Sequence, residues 1–421
     1  TSIESVKEYT PEPIQVHSSL ALMKKLTAKY IEDANISLMQ ARNALSSTLI
    51  DDASALDFLL STLNSADKSL LQAKELNENN YLYSAANLSF LAKVYTSLVK
   101  DVAENPSLLS GDSTLFDIKL NDLKNEIKIL KNNLNQNIPV DFLEWHIASQ
   151  QRLSWSELKV NELMNKQTVE ISINGAPVSS EEIALKRVED FEFALAWDSV
   201  AEDFYHETQA SKIKAKISSV KNFEKSPREF IVKAENGLTN VPDDSMEDAK
   251  RRLNSAILES NNGWFAASMI DASTSVSLIE AESIAKDKSQ QELQAMLEDK
   301  VSGLEKQLSS SKFNNEWGHL YLDHAKYFLN SAKFYHNEGF ESKSSENLKN
   351  GLTLAMFAES TFNAMKQINE FYSTIPKEEL LNGNSVIAAV SSGIPIELLI
   401  LLELIAIFLF LTAIIKFVIV P

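Results

Sequence analysis

The stretch FDIKLNDLKNEIKILKNNL, residues 116–134, decides the fold class. Its apolar side chains Phe116, Leu120, Leu123, Ile127, Leu130 and Leu134 recur at alternating steps of four and three, the a/d spacing that puts one seam on one face of an α-helix. Pro106 and a Gly111-Asp112 turn precede the helix, and Pro139 ends it. Working outward, Asp141 starts a helix carrying Leu143, Trp145, Leu153 and Trp155 toward Asn165. Before the seam, helices are expected from about Ser18 to Ser47, from Asp51 or Asp52 to Glu78, and from near Tyr81. After it, helical patterning continues to Pro227 and again beyond Pro242, with a second apolar run at Leu293, Leu297, Val301, Leu304 and Leu308.

Ten glycines and ten prolines in 421 residues are too few for the many turns of a sandwich or barrel, which supports the same reading. The clear strand signal is the alternation of Val169, Ile171 and Ile173 before Asn174-Gly175, read as a small β-hairpin near 168–178 packed on helices. Ser179 with Glu182 reads as a capping box opening the next helix. The formal net charge of −18 argues against nucleic acid as a partner, because phosphate binding depends on Lys and Arg. The absence of cysteine excludes disulfides, thiolate metal sites and a cysteine nucleophile.

From Leu398 to Ile415 the one charged residue is Glu403, and eighteen residues of helix span roughly 27 Å, close to the hydrocarbon thickness of a bilayer. Residues 398–421 are therefore read as a single transmembrane helix, with Glu397 and Glu403 near one interface and Lys416 near the other. Lys416 on the cytoplasmic side places the N-terminal bulk outside the cell. Ser391, Ser392, Gly393 and Pro395 make 384–397 a hinge. On that topology the sequons at Asn35 and Asn87 become possible glycosylation sites.

An internal repeat organises the part outside. Leu63-Asn64-Ser65-Ala66 recurs as Leu253-Asn254-Ser255-Ala256 and as Leu329-Asn330-Ser331-Ala332. Gly263-Trp264 and Gly339-Phe340 follow the second and third copies at one distance, and Tyr81 and Tyr83 stand in after the first. Such a unit predicts a helix hairpin in which Ala and Ser allow close approach and an aromatic closes the end. The chain divides accordingly into an N-terminal segment 1–17, a first hairpin unit 18–105, coiled-coil-like helices 106–241, second and third units 242–383, the hinge and the membrane helix. The expected fold class is all-α: helix-hairpin repeats and coiled-coil segments in an extended bundle, with one β-hairpin and one transmembrane helix.

A search for chemistry returns little. His319 and His324, with Asp323 between, are five residues apart and do not share a helix face as a zinc pair does. His206 is isolated. The doublets Asp51-Asp52, Glu181-Glu182, Asp243-Asp244 and Glu378-Glu379 fall where helices are expected to begin and compensate the helix dipole. Trp145, Trp155, Trp197, Trp264 and Trp317 read as core. No phosphate loop, dinucleotide fingerprint or nucleophile elbow is present, so neither catalytic residues nor a metal or cofactor is expected.

The layout of Ala-rich helix pairs before one C-terminal membrane helix, together with the opening Ser2-Ile3-Glu4-Ser5-Val6-Lys7-Glu8-Tyr9-Thr10, resembles the region that follows the protease domain in archaeal Lon-like membrane serine proteases. The resemblance implies a non-catalytic part that anchors and oligomerises a protease domain, with a serine–lysine dyad upstream of Thr1. The residues by themselves point first to a membrane-anchored extracytoplasmic scaffold or stalk. Its partners would be the lipid bilayer and either a second copy of the chain or other cell-surface proteins.

Overall fold

In the computed structural model, described for residues 9–48, 50, 53–109, 114–165, 180–239, 246–376, 378 and 380–382, helix follows helix. They are α1 (Ala21–Ser47), α2 (Ala53–Glu78), α3 (Leu82–Glu104), α4 (Thr114–Leu134), α5 (Leu143–Met164) and α6 (Ser180–Thr208). Then come α7 (Lys225–Leu238), α8 (Glu247–Asn261), α9 (Phe265–Asp287), α10 (Gln290–Ser309), α11 (Glu316–Asn337) and α12 (Glu341–Ser373). The class is all-α. Helices α1, α2 and α3 pack together, as do α5 with α6, α8 with α9, and α11 with α12. Helix α4 lies on α5 and α6, and α12 lies against α9 and α10.

The seam of α4 is fully used inside the chain. Phe116, Leu120, Leu123, Ile127, Leu130 and Leu134 are all buried in the largest apolar cluster, and the five apolar residues of α10 are buried likewise. Neither run is free to join a second chain.

Two helices have no outward face along much of their length. Every residue of α5 from Leu143 to Ser156 and of α9 from Ala266 to Ser277 is buried, although both stretches are rich in Ser, Gln, Thr and charge. Their hydroxyls account for part of this. Ser149 and Ser156 donate to the carbonyls of Ala201 (2.6 Å) and Ala194 (2.8 Å) on α6. Ser268 and Ser275 donate to Ala256 (2.7 Å) and Ala249 (2.7 Å) on α8. Each pair steps seven residues forward on one helix and seven back on the other, as antiparallel packing requires. Ser344 repeats the contact with Ala332 (2.9 Å) between α12 and α11. A serine here satisfies its own hydroxyl while staying small enough for the backbones to close up.

Three of the connections share one geometry. Asn80, Gly263 and Gly339 have φ of 67°, 79° and 80°, and the aromatics Tyr81, Trp264 and Phe340 follow them. The aromatic N–H groups return to Leu76, Glu259 and Tyr335 carbonyls at 2.9, 2.8 and 2.8 Å, the six-to-one bond of a left-handed helix cap. Counting back from these turns, the position matching Ala256 and Ala332 in the first pair is Ala73, not Ala66. The tetrapeptide 63–66 sits seven residues, two helical turns, too early. Ala66 and Ala73 are both wholly buried, because a shift of seven keeps the same face.

Three short strands form an antiparallel sheet for which the sequence shows no alternation signal. It comprises β1 (Asn137–Pro139), β2 (Ile213–Lys216) and β3 (Leu380–Asn382), with β2 central, Ile138 opposite Ala215 and Ala215 opposite Leu380. Pro139 lies on an edge strand, where its missing N–H does least harm. Asp141, expected to start α5, instead accepts from the Ser211 hydroxyl and the Lys212 amide (2.9 Å) at the entry to β2. Pro227 does not end a helix but sits in the first turn of α7, which tolerates a missing donor. Glu378 has 3-10 helical backbone just before β3.

Among the described residues no helix is long and apolar enough to cross a membrane. The apolar run 398–421, with the hinge 384–397, lies outside them. So do the hairpin near 168–178, the Ser179 capping position, Asp51, Asp52, Gly111, Asp112, Pro242 to Asp244, Glu379 and the opening eight residues.

Candidate functional site

The buried helices α5 and α9 meet α8 in an ion network. Asp271 accepts from Arg252 (2.7 Å) and Gln151 (2.6 Å) on one oxygen and from the Trp155 indole (3.0 Å) on the other. Asp271 is inaccessible and Arg252 is nearly so. The Arg252 guanidinium also lies 4.3 Å from the centre of the Trp155 ring. Arg152 is held by aromatic faces, at 4.1 Å from Trp155, 5.4 Å from Trp317 and 5.6 Å from Trp197. Glu259, wholly buried beside Asp271, has its carboxyl raised well above the ordinary range by burial and then by the Asp271 charge. The network pins α5, α8, α9 and α11 together and has no open face, so it reads as structure.

A second carboxyl pair joins the N-terminal turns of α5 and α11. Glu144 accepts from the Glu316 backbone (2.8 Å), and Glu316 accepts from the Trp145 indole (3.0 Å). Burial, with a contribution from Glu316, pushes Glu144 up to about 8, and burial pushes Glu316 up to about 7.

The open site is a groove of about 570 Å³ walled by α1 and α4 over a floor of α3 and α6. Helix α1 supplies Asp33, Ile36, Ser37 and Gln40, and α4 supplies Lys119, Asp122, Leu123 and Glu126. From the floor come Lys93, Ser97, Lys100 and Asp101 of α3 and Phe191, Glu192 and Leu195 of α6. Lys119 is ion-paired with Asp101, and Lys100 donates to Gln40 (3.3 Å). Glu192 is 3% exposed, and its carboxyl shares a hydrogen bond with the Asp101 carboxylate. Burial, and then the Asp101 charge, holds its carboxyl well above the ordinary range. On the same helix Asp198 is pushed up to about 7 by burial, Glu126 and Glu202, and its Oδ1 is unpartnered. Sequence reading missed this site, because its acids are scattered over four helices, Asp33 on α1, Asp101 on α3, Asp122 and Glu126 on α4 and Glu192 on α6, with no shared motif.

The residues singled out from sequence lie elsewhere. Asn35 is half-buried on α1 with its amide oxygen accepting from Lys74 (3.1 Å), while Asn87 is exposed on α3. Glu397, Glu403 and Lys416 lie outside the described residues. His319 stacks on His17 at 4.3 Å, and His324 is half-buried, stacked against Phe328 at 4.8 Å. Burial pushes His324 down to about 3, and burial followed by His17 and Lys326 pushes His319 down to about 4. His206 is on the surface beside Glu202. Trp145, Trp155, Trp264 and Trp317 are buried, and Trp197 is half-buried against Phe90 at 4.1 Å. Among the described residues no three of His, Asp or Glu converge to hold a metal ion. No protein-family model, no curated protein and no solved structure matches this chain.

Proposed function

We propose that this chain is a helical scaffold carried at a membrane by the apolar run 398–421, with its helical body outside the cell and its C-terminus in the cytoplasm. The observation that carries the reading is a contrast within one chain. The described helices bury their apolar faces against one another and none is suited to cross a bilayer, whereas Leu398 to Ile415 holds eighteen residues with one charge. A body of stacked hairpins with an open groove supports a role in holding partners, either copies of itself or other membrane proteins, above the lipid surface. Exposed aliphatics on the two helices beside the groove, Ile36 and Met39 on α1 and Ile118 and Ile129 on α4, favour contact with protein.

Labelling of intact cells with a membrane-impermeant amine reagent tests the topology. Modification of exposed body lysines such as Lys24 and Lys68, with Lys416 unmodified until the cells are opened, is the expected result; the reverse pattern overturns the proposal. A related reading rests on Ser2 to Thr10, in which the same body and tail anchor a protease domain of the Lon-like membrane class. An encoded serine–lysine protease domain upstream of Thr1 would favour it.

A further inference from the structure

We infer, on the membrane reading above, that the basic face running from β2 into α7 docks on anionic lipid headgroups and holds the helical body against the bilayer surface.

Charge is the first reason. Acids outnumber bases 58 to 40 over the whole chain, yet between residues 212 and 228 six cations stand against one acid, Glu224. Lys212, Lys216, Lys221, Lys225 and Arg228 are exposed, and Lys214 is half-buried. Among the described residues none of the six is held in an ion pair, whereas Lys233 farther along α7 pairs with Glu280 at 2.9 Å. Unpaired cations gathered on one part of an acidic molecule are what an anionic lipid surface attracts.

The fold turns these cations outward. On α7 the positions of Lys225, Arg228 and Val232 follow at steps of three and four and form one exposed stripe, while Pro227 and Ala234 are buried on the other side. Beyond Arg228 the exposed Glu229 and Glu235 restore the balance, so the basic part is the end of α7 nearest β2. Ile213 and Val232 add exposed aliphatic groups beside the cations, which suits the boundary between headgroups and acyl chains.

Position is the third reason. Ile213 of β2 lies opposite Asn382, where β3 ends, and 15 residues, 383–397, separate that strand from the apolar run. Fully extended, they reach about 50 Å. The segment after β2 is fixed to the same end of the body, since Phe223 meets Phe371 of α12 at 4.8 Å. The cations therefore sit at the end from which the chain leaves for the bilayer. A lipid surface potential fades over about 8–10 Å at physiological salt, so the attraction acts only when this face rests on the headgroups.

Because the chain has no cysteine, Asn222→Cys gives a single attachment point for a fluorophore on the exposed part of this segment. The labelled full chain is reconstituted with vesicles of phosphatidylcholine, alone or with phosphatidylglycerol, each carrying a headgroup-linked quencher. The expected result is quenching on the anionic vesicles that concentrated KCl removes. Lys221→Glu, Lys225→Glu and Arg228→Glu together should abolish it with unchanged far-UV circular dichroism, whereas Lys221→Arg with Lys225→Arg should keep it. Lys24→Glu with Lys68→Glu, on α1 and α2, should also leave it in place. Absence of quenching on anionic vesicles, equal quenching on phosphatidylcholine alone, or a charge-reversed variant quenched as the parent is overturns the proposal. Binding of a DNA duplex that the charge reversal abolishes, with no quenching on either vesicle, overturns it in favour of nucleic acid. Flotation with phosphatidylcholine vesicles reports on the tail alone. A parent that fails to float there contradicts the anchor, while salt-sensitive quenching on anionic vesicles still upholds the basic face.

Discussion

The Ser268 hydroxyl donates to the carbonyl oxygen of Ala256 at 2.7 Å, and Ser275, seven residues on, does the same to Ala249, seven residues back. This pairing explains how α9 is buried on all sides while carrying few large apolar groups. Each serine meets its hydrogen-bonding need on the neighbouring helix and brings the backbones close. Replacing Ser275 with Ala should cost about 1 kcal/mol, the worth of one buried hydrogen bond. Ser275→Leu should cost more, about 1–3 kcal/mol or beyond, because the contact has no room for the side chain. Urea unfolding midpoints of the two variants, compared with the parent, check the order.

Asp271 should be the most sensitive single position in the ion network. Asp271→Ala strands Arg252 in the interior and leaves Gln151 and Trp155 without their acceptor, for an expected loss of about 3–5 kcal/mol. Thermal unfolding measures it. Asp271→Ala together with Arg252→Met should recover part of that loss, since Arg252 is then no longer a buried charge without its partner.

The hairpin turns make a separate demand. At Gly263 and Gly339 a Cβ meets no neighbour within 4 Å, so Gly263→Ala and Gly339→Ala test the positive φ and nothing else. Each should destabilise by about 1–2 kcal/mol. Asn80→Gly should show little such gain despite its φ of 67°, because Asn80 also donates to the Ile14 carbonyl at 2.9 Å.

Stability should depend on pH through Glu144 and Glu316. In the unfolded chain both ionise near 4.5, whereas in the fold they hold protons until about 8 and 7. Their contribution is therefore complete below the unfolded value and is lost as pH rises through 7 and 8. Glu144→Gln should flatten this slope, gaining on the order of 2–4 kcal/mol over the parent at pH 8 relative to pH 4.5. Unfolding free energies measured across that window test it.

These relationships differ in how far the sequence revealed them. Helix α4 was legible because one face is apolar and the other wet, so its six seam residues announce a period. Helices α5 and α9 are buried all round by polar side chains, and no period marks that state. The repeat was legible as a face but not as a register, since Ala66 and Ala73 differ by two whole turns and only the turn at Asn80 distinguishes them. Strand β2, Ile213–Lys216, is four residues long and too short to show alternation above chance. The helical patterning stops at Pro227, but the sequence does not say which turn of a helix a proline occupies, and this one lies in the first turn of α7. The groove was illegible for a related reason: Asp33, Asp122 and Glu192 are brought together only by the packing of α1, α4 and α6.

The central claim is that one apolar run holds this helical body at a membrane. Flotation of the full chain with lipid vesicles, compared with a full-length variant carrying Ile407→Arg and Leu411→Arg, tests it most directly. Two arginines at the centre of a spanning helix each cost about 2.5–3.5 kcal/mol on insertion. The account predicts that the parent floats with the vesicles and resists alkaline carbonate, while the variant stays in the dense fraction with unchanged far-UV circular dichroism. A variant that floats as the parent does, or a parent that never floats, would contradict it.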